Sequence, residues 1–84
     1  MIVRYTAHAL ERMQDRGIEA DWIEATIGSP EWVESDPSAA DTKRFFSSGM
    51  AGDDRILRVV AKVENEEMVV ITAFFDRGAR RRSE

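Results

Sequence analysis

A change of hydrophobic period at Pro30 most constrains what this chain can fold into. Before that residue the apolar positions recur at helical spacing, and from Glu31 onward they alternate, so helices are expected first and strands after them. In the first half the stretch Y-T-A-H-A-L-E-R-M-Q-D-R-G-I, residues 5–18, is bracketed by Thr6, a natural N-cap, and by Gly17, a residue that accepts the left-handed stop. Good helix formers fill the interval, and Ala9, Leu10 and Met13 fall on the side that should meet a core. A second helix is expected over residues 20–27, with Trp22, Ile23 and Ile27 on one face and Asp21 and Glu24 toward its positive end. With Glu19 as cap, Ile18 and Ile23 occupy the two positions of a hydrophobic staple. Gly28, Ser29 and Pro30 end that helix, and the β-branched stretch 2–5 reads as a short opening strand.

Past Pro30, residues 31–34 suggest a short strand and residues 42–48 a better one, with Phe45 and Phe46 on opposite faces. Residues 55–63 alternate clearly: Leu57, Val59, Ala61 and Val63 share one face, and Ile56, Arg58, Val60 and Lys62 the other. Asn65 is the residue in the next turn best able to adopt a left-handed backbone. Residues 68–75 are apolar on both faces, the mark of a central strand. The expected architecture is an α+β domain over residues 1–76, two N-terminal helices on an antiparallel sheet of three to four strands, followed by a basic tail, residues 77–84.

A chain of 84 residues forms one domain. The absence of cysteine excludes disulfides and thiolate zinc sites, and a single histidine argues against a His-rich metal centre; neither a metal nor a cofactor is expected. No apolar run is long enough to span a bilayer and no signal peptide is visible, so a cytoplasmic protein without membrane contact is expected. Net charge is −4, but residues 1–41 hold 3 basic and 9 acidic side chains whereas residues 42–84 hold 9 and 7. An anion-binding surface must therefore be local.

His8, Arg12 and Arg16 recur every fourth residue, which lines up an imidazole and two guanidinium groups along one side of the first helix. The pattern T-x-H-A-x-x-R-M-x-x-R-G-I, the helix ended at Ser29 and Pro30, and the late V-V-I-T-A-F-F strand together resemble the bacterial domain of unknown function 4258 family. That family looks related to the RelE, ParE and BrnT toxins, the RNA-cleaving halves of toxin-antitoxin pairs. The resemblance implies a RelE-like fold, metal-independent RNA endonuclease activity, RNA as ligand and an antitoxin-like protein partner. An RNase of this kind makes the 2′-hydroxyl attack the adjacent phosphate, and needs a base, cations around the phosphorane-like charge and an acid. His8 would be the base, in the neutral form that a helix N-terminus favours, with Arg12 and Arg58 as the other catalytic groups. Arg16, Arg44 and Lys62 would bind substrate, provided the strand face carrying Arg58 meets the helix row across a groove.

Simpler uses compete with these roles. A histidine at a helix start more often packs or bonds locally, Arg12 and Arg16 can pair with Glu11, Asp15 or Glu19, and Arg58 and Lys62 suit a solvated sheet face. Trp22, Trp32, Phe74 and Phe75 read most simply as core, and Arg80 to Arg82 as a solvated tail. The net acidity and the missing general acid favour a second function, a noncatalytic module of the same fold that binds a partner protein.

Overall fold

The computed structural model describes residues 2–79. Its elements follow the order β1 (Ile2–Tyr5), α1 (Ala7–Arg16), α2 (Ala20–Gly28), β2 (Trp32–Ser35), β3 (Thr42–Ser48), β4 (Ile56–Glu64) and β5 (Glu67–Phe75). The five strands form one sheet in the order β1-β5-β4-β3-β2. β2 to β5 are joined antiparallel, whereas β1 runs parallel to β5 from Ile2↔Glu67 to Tyr5↔Val70.

The sheet corrects the RelE-like expectation of three to four antiparallel strands, since it has five and is mixed. A central strand needs a hydrogen-bonded neighbour on each side, and the tight turn after β4 supplies β5 with only one. β1 takes the other side, and its four residues satisfy their backbone groups only by joining an existing edge. β2, also four residues long, does the same against β3. The turn itself places Asn65 at φ 52° and Glu66 at φ 64°, so two residues rather than one take the left-handed conformation.

Thr6 and Gly17 bound α1 as expected. The Thr6 hydroxyl accepts from the Ala9 amide at 3.1 Å, and Gly17, at φ 64°, donates its N–H to the Met13 carbonyl. Thr6 has a second task. β5 carries an irregularity in which Val60 opposes Thr72 and Ala61 opposes Val70, leaving Ile71 without a partner. The Thr6 hydroxyl donates to the Ile71 carbonyl at 3.1 Å and its amide to Val70 at 3.1 Å, so the cap of α1 is anchored on this bulge.

Both helices lie on one face of the sheet. Ala9, Ile18 and Ile23 pack there against Leu57, Val59, Ala61, Met68, Val70 and Ala73, all buried. Tyr5 ties β1 to α2 through a 2.9 Å hydrogen bond from its hydroxyl to Glu24. Burial first, and then that carboxylate, push the phenol pKa up to about 12. An unfolded tyrosine titrates near 10, so as pH rises past about 10 the unfolded state releases its proton first and the stability that Tyr5 contributes falls away through about 12. Thermal melts over that interval are expected to show a steeper decline for the unaltered chain than for Tyr5→Phe, and equal slopes would contradict the assignment.

Among the described residues the opposite face carries no helix, yet Phe46, Val60 and Val69 are buried on it. Register explains this. Trp32 pairs with Phe46, Phe46 with Arg58, and Arg58 with Phe74, which makes one continuous row across four strands. The Trp32 and Phe46 rings stack at 4.5 Å and 3°. The Arg58 guanidinium lies 5.5 Å from the Phe46 centroid and 5.1 Å from that of Phe74, so its charge sits between the two rings.

Candidate functional site

The six residues singled out by sequence divide between two layers. His8, Arg12 and Arg16 belong to α1, on the helix-bearing face; Arg44, Arg58 and Lys62 project from the other face. Among the described residues no hydrogen bond, ion pair or ring contact joins the two groups, and the groove expected between them is not formed by direct contact. His8 is exposed and has no hydrogen-bonding or ionic partner among the described residues. Arg12 makes only long, exposed contacts, 3.7 Å to Glu11 and 3.9 Å to Asp15.

The cations of the open face are compensated. Arg58 lies 3.2 Å from Asp76, Arg44 3.6 Å from Asp36, and Lys62 3.3 Å from Glu64, while Arg4 contacts both Glu64 and Glu67. The buried Nε atoms of Arg44 and Arg58 make no aligned hydrogen bond, so proximity of charge holds these two pairs. Hydrogen bonds from the Ser38 hydroxyl and amide, and then the Arg44 charge, hold the Asp36 carboxyl below the usual range. With Glu34, which accepts from the Trp32 indole at 3.0 Å, the face sets five carboxylates against four cations. A polyanion gains little on such a surface.

Uncompensated positive charge gathers instead at one end of the sheet. Arg16 from the last turn of α1, Arg55 and Ile56 at the start of β4, and Phe75, Asp76 and Arg77 at the end of β5 line a pocket of about 230 Å³. The Asp76 amide donates to the Ile56 carbonyl at 2.8 Å and closes the sheet at this end, which fixes Arg55 and Arg77 side by side. Arg55 lies over the Phe75 ring at 4.0 Å and bonds Asp53 at 2.8 Å. The Arg55 amide, foremost, and its side chain hold the Asp53 carboxyl below the usual range. Asp76 is also engaged, by Arg58 at 3.2 Å on one oxygen and by the Gly78 amide at 2.9 Å on the other. Arg16 and Arg77 have no carboxylate partner among the described residues. Counting the pocket arginines with Arg58 gives four guanidinium groups against the carboxylates of Asp53 and Asp76, an excess of two positive charges.

Of the expected site residues only Arg16 lines this pocket, and Arg58 stands behind it through Asp76. Arg55 and Arg77 were not among the expected residues. The frame set at the Asn65 turn, Glu64 opposite Glu67, would carry residue 55 to the level of residue 76, and only the irregularity between Val60 and Ala61 shifts it to residue 77. The run Arg80 to Arg82 lies outside the described residues. Among the described residues no three His, Asp or Glu side chains gather as a metal ion would require, and no helix is long and apolar enough to cross a membrane.

Fold and pocket together define a small two-layer domain, two helices on a mixed five-stranded sheet, with an arginine-lined cavity at the sheet end. The chain belongs to the family described as Domain of unknown function (DUF4258), whose model matches residues 5–75. No curated protein and no solved structure matches it.

Proposed function

We propose that this domain binds the backbone of RNA, seating a phosphate among Arg16, Arg55 and Arg77. The observation that carries this reading is the convergence of three guanidinium groups from separate parts of the chain, two of them without a carboxylate partner among the described residues, on one small pocket. Such forks match phosphate oxygens in geometry as well as charge. The cavity is too small for a large ligand, and the row Arg12 and His8 continues from Arg16 along α1 at about 6 Å per step, which suits a chain-like anion.

A metal-independent endoribonuclease is the second reading, favoured by the position of His8 on the same flank of α1. His8 would take the proton of a 2′-hydroxyl, the freed oxygen would bond to phosphorus, and the 5′-oxygen would leave with a proton from an acid. Arg12 would hold the cut phosphate, because His8 lies roughly 12 Å along the helix from Arg16. Binding ranks above cleavage because nothing orients the His8 ring and no acid is placed for the leaving oxygen. An antitoxin-like partner that silenced either activity would have to cover these arginines.

Equilibrium titration of a labelled, short single-stranded oligoribonucleotide tests both readings. Saturable binding at low salt is expected, and no binding there overturns the proposal. Cutting of the bound strand that disappears in His8→Gln without loss of affinity would establish the nuclease, and an intact strand would reject it.

A further inference from the structure

We infer that the arginine pocket takes a terminal phosphate of the RNA strand, a phosphomonoester, in preference to a phosphate within the chain. This inference rests on the backbone-binding reading and names the chemical class that the same pocket selects. Arg16, Arg55 and Arg77 reach it from the last turn of α1, the start of β4 and the segment after β5. Among the described residues Arg16 and Arg77 have no carboxylate partner, and Asp53 engages the Arg55 side chain only at Nε, at 2.8 Å. Asp76 lines the pocket as well, but Arg58 holds one of its oxygens at 3.2 Å and the Gly78 amide holds the other at 2.9 Å.

A phosphate inside a strand offers two non-bridging oxygens and one negative charge. A terminal phosphate offers three acceptor oxygens and a charge of about −1.5 to −2 at neutral pH. Three guanidinium forks therefore provide one fork for each oxygen of the terminal group, and one fork more than an internal phosphate can occupy. Charge favours the same ligand. The side chains at this sheet end leave an excess of two positive charges among the described residues, which a terminal phosphate nearly cancels and an internal one only halves. Ile56 and Phe75 add apolar wall beside these cations, where attraction between charges is screened less than in open water. Arg12 and His8 continue from Arg16 along α1, so the rest of the strand has a path that leads away from the pocket.

Four forms of one short oligoribonucleotide separate the end group from the backbone: hydroxyls at both ends, a 5′-phosphate, a 3′-phosphate, and each phosphate capped as its methyl ester. One of the two phosphorylated strands is expected to bind about tenfold more tightly than the hydroxyl-ended strand, as one added charge-assisted contact does, and the end that does so gives the direction of the chain. Its methyl ester, which keeps the bulk but loses a charge, should return to the affinity of the hydroxyl-ended strand. Arg77→Gln and Arg16→Gln should each abolish the preference, and Arg4→Gln should keep it. Equal affinity of the unaltered chain for all four forms, a preference retained by the methyl ester, or one that survives in Arg77→Gln and Arg16→Gln would overturn the terminal-phosphate assignment and leave backbone binding standing. Failure of the unaltered chain to bind any of the four would overturn both.

Discussion

Replacing Arg16 and Arg77 together by glutamine is expected to lower affinity for single-stranded RNA about a hundredfold, with little change in thermal stability. The size follows from the strength of the hydrogen bonds that the two guanidinium groups would give to phosphate. A charge-assisted hydrogen bond contributes about 1.5 to 3 kcal/mol, and each 1.4 kcal/mol is tenfold in affinity, so two exposed arginines at the lower figure give about two orders of magnitude. Stability should hold because neither side chain has an ionic or hydrogen-bonding partner among the described residues. Arg4→Gln is the matched control: it removes one positive charge from β1, where Glu64 and Glu67 already compensate it at 3.2 and 2.9 Å. A double variant that binds as tightly as the unaltered chain, measured by titration at one fixed ionic strength, would show that the pocket does not hold RNA.

Phe46→Ala has the largest expected effect on folding. The ring is 1% exposed, stacked on Trp32 and flanked by Arg58, although no helix among the described residues covers its face of the sheet. Truncating a buried phenylalanine costs about 3 to 5 kcal/mol, against a total that rarely exceeds about 0.15 kcal/mol per residue. For a domain of this size each kcal/mol moves the melting temperature by about 4 to 8 °C, so a fall of about 15 °C or more is expected by circular dichroism. A loss below about 1 kcal/mol would show that the row across the open face is decoration on a fold held entirely by the helix side.

The local chemistry of both helix ends was legible because it depends on neighbours in the chain. Thr6 and Gly17 bound α1, and the Asn65 turn reverses the chain between β4 and β5, as residue type and spacing indicate. The alternation in β4 likewise separates Leu57, Val59 and Ala61 from Arg58, Val60 and Lys62. What could not be read was how elements join. The two four-residue strands carry too few side chains to declare a partner, and β1 docks parallel on β5 through contacts more than sixty residues apart in sequence. The sheet therefore has an extra neighbour at each edge and loses its purely antiparallel character.

The same limit applied to the candidate site. Spacing shows which side of its own helix or strand a residue occupies, and it showed the row on α1 and the shared face of Arg58 and Lys62. It does not show the carboxylates that arrive from elsewhere, Asp76 on Arg58 and Asp36 on Arg44, which convert an apparent basic face into a compensated one. Nor does periodicity bring Arg55 and Arg77 together, since they meet only when the hairpin frame is carried past the strand ends. Arg16 belongs to both pictures because it ends α1 at the sheet end where those two residues meet.

Salt dependence of the affinity for a short single-stranded oligoribonucleotide tests the arginine pocket most directly. Each phosphate neutralised on a single strand releases about 0.7 of a counterion, so one phosphate in the pocket and one at the adjoining Arg12 predict a slope of about −1.4 when the logarithm of affinity is plotted against that of salt concentration. A slope near zero, or binding that appears only where the Arg16 and Arg77 double variant binds equally, would contradict a phosphate seated among these side chains.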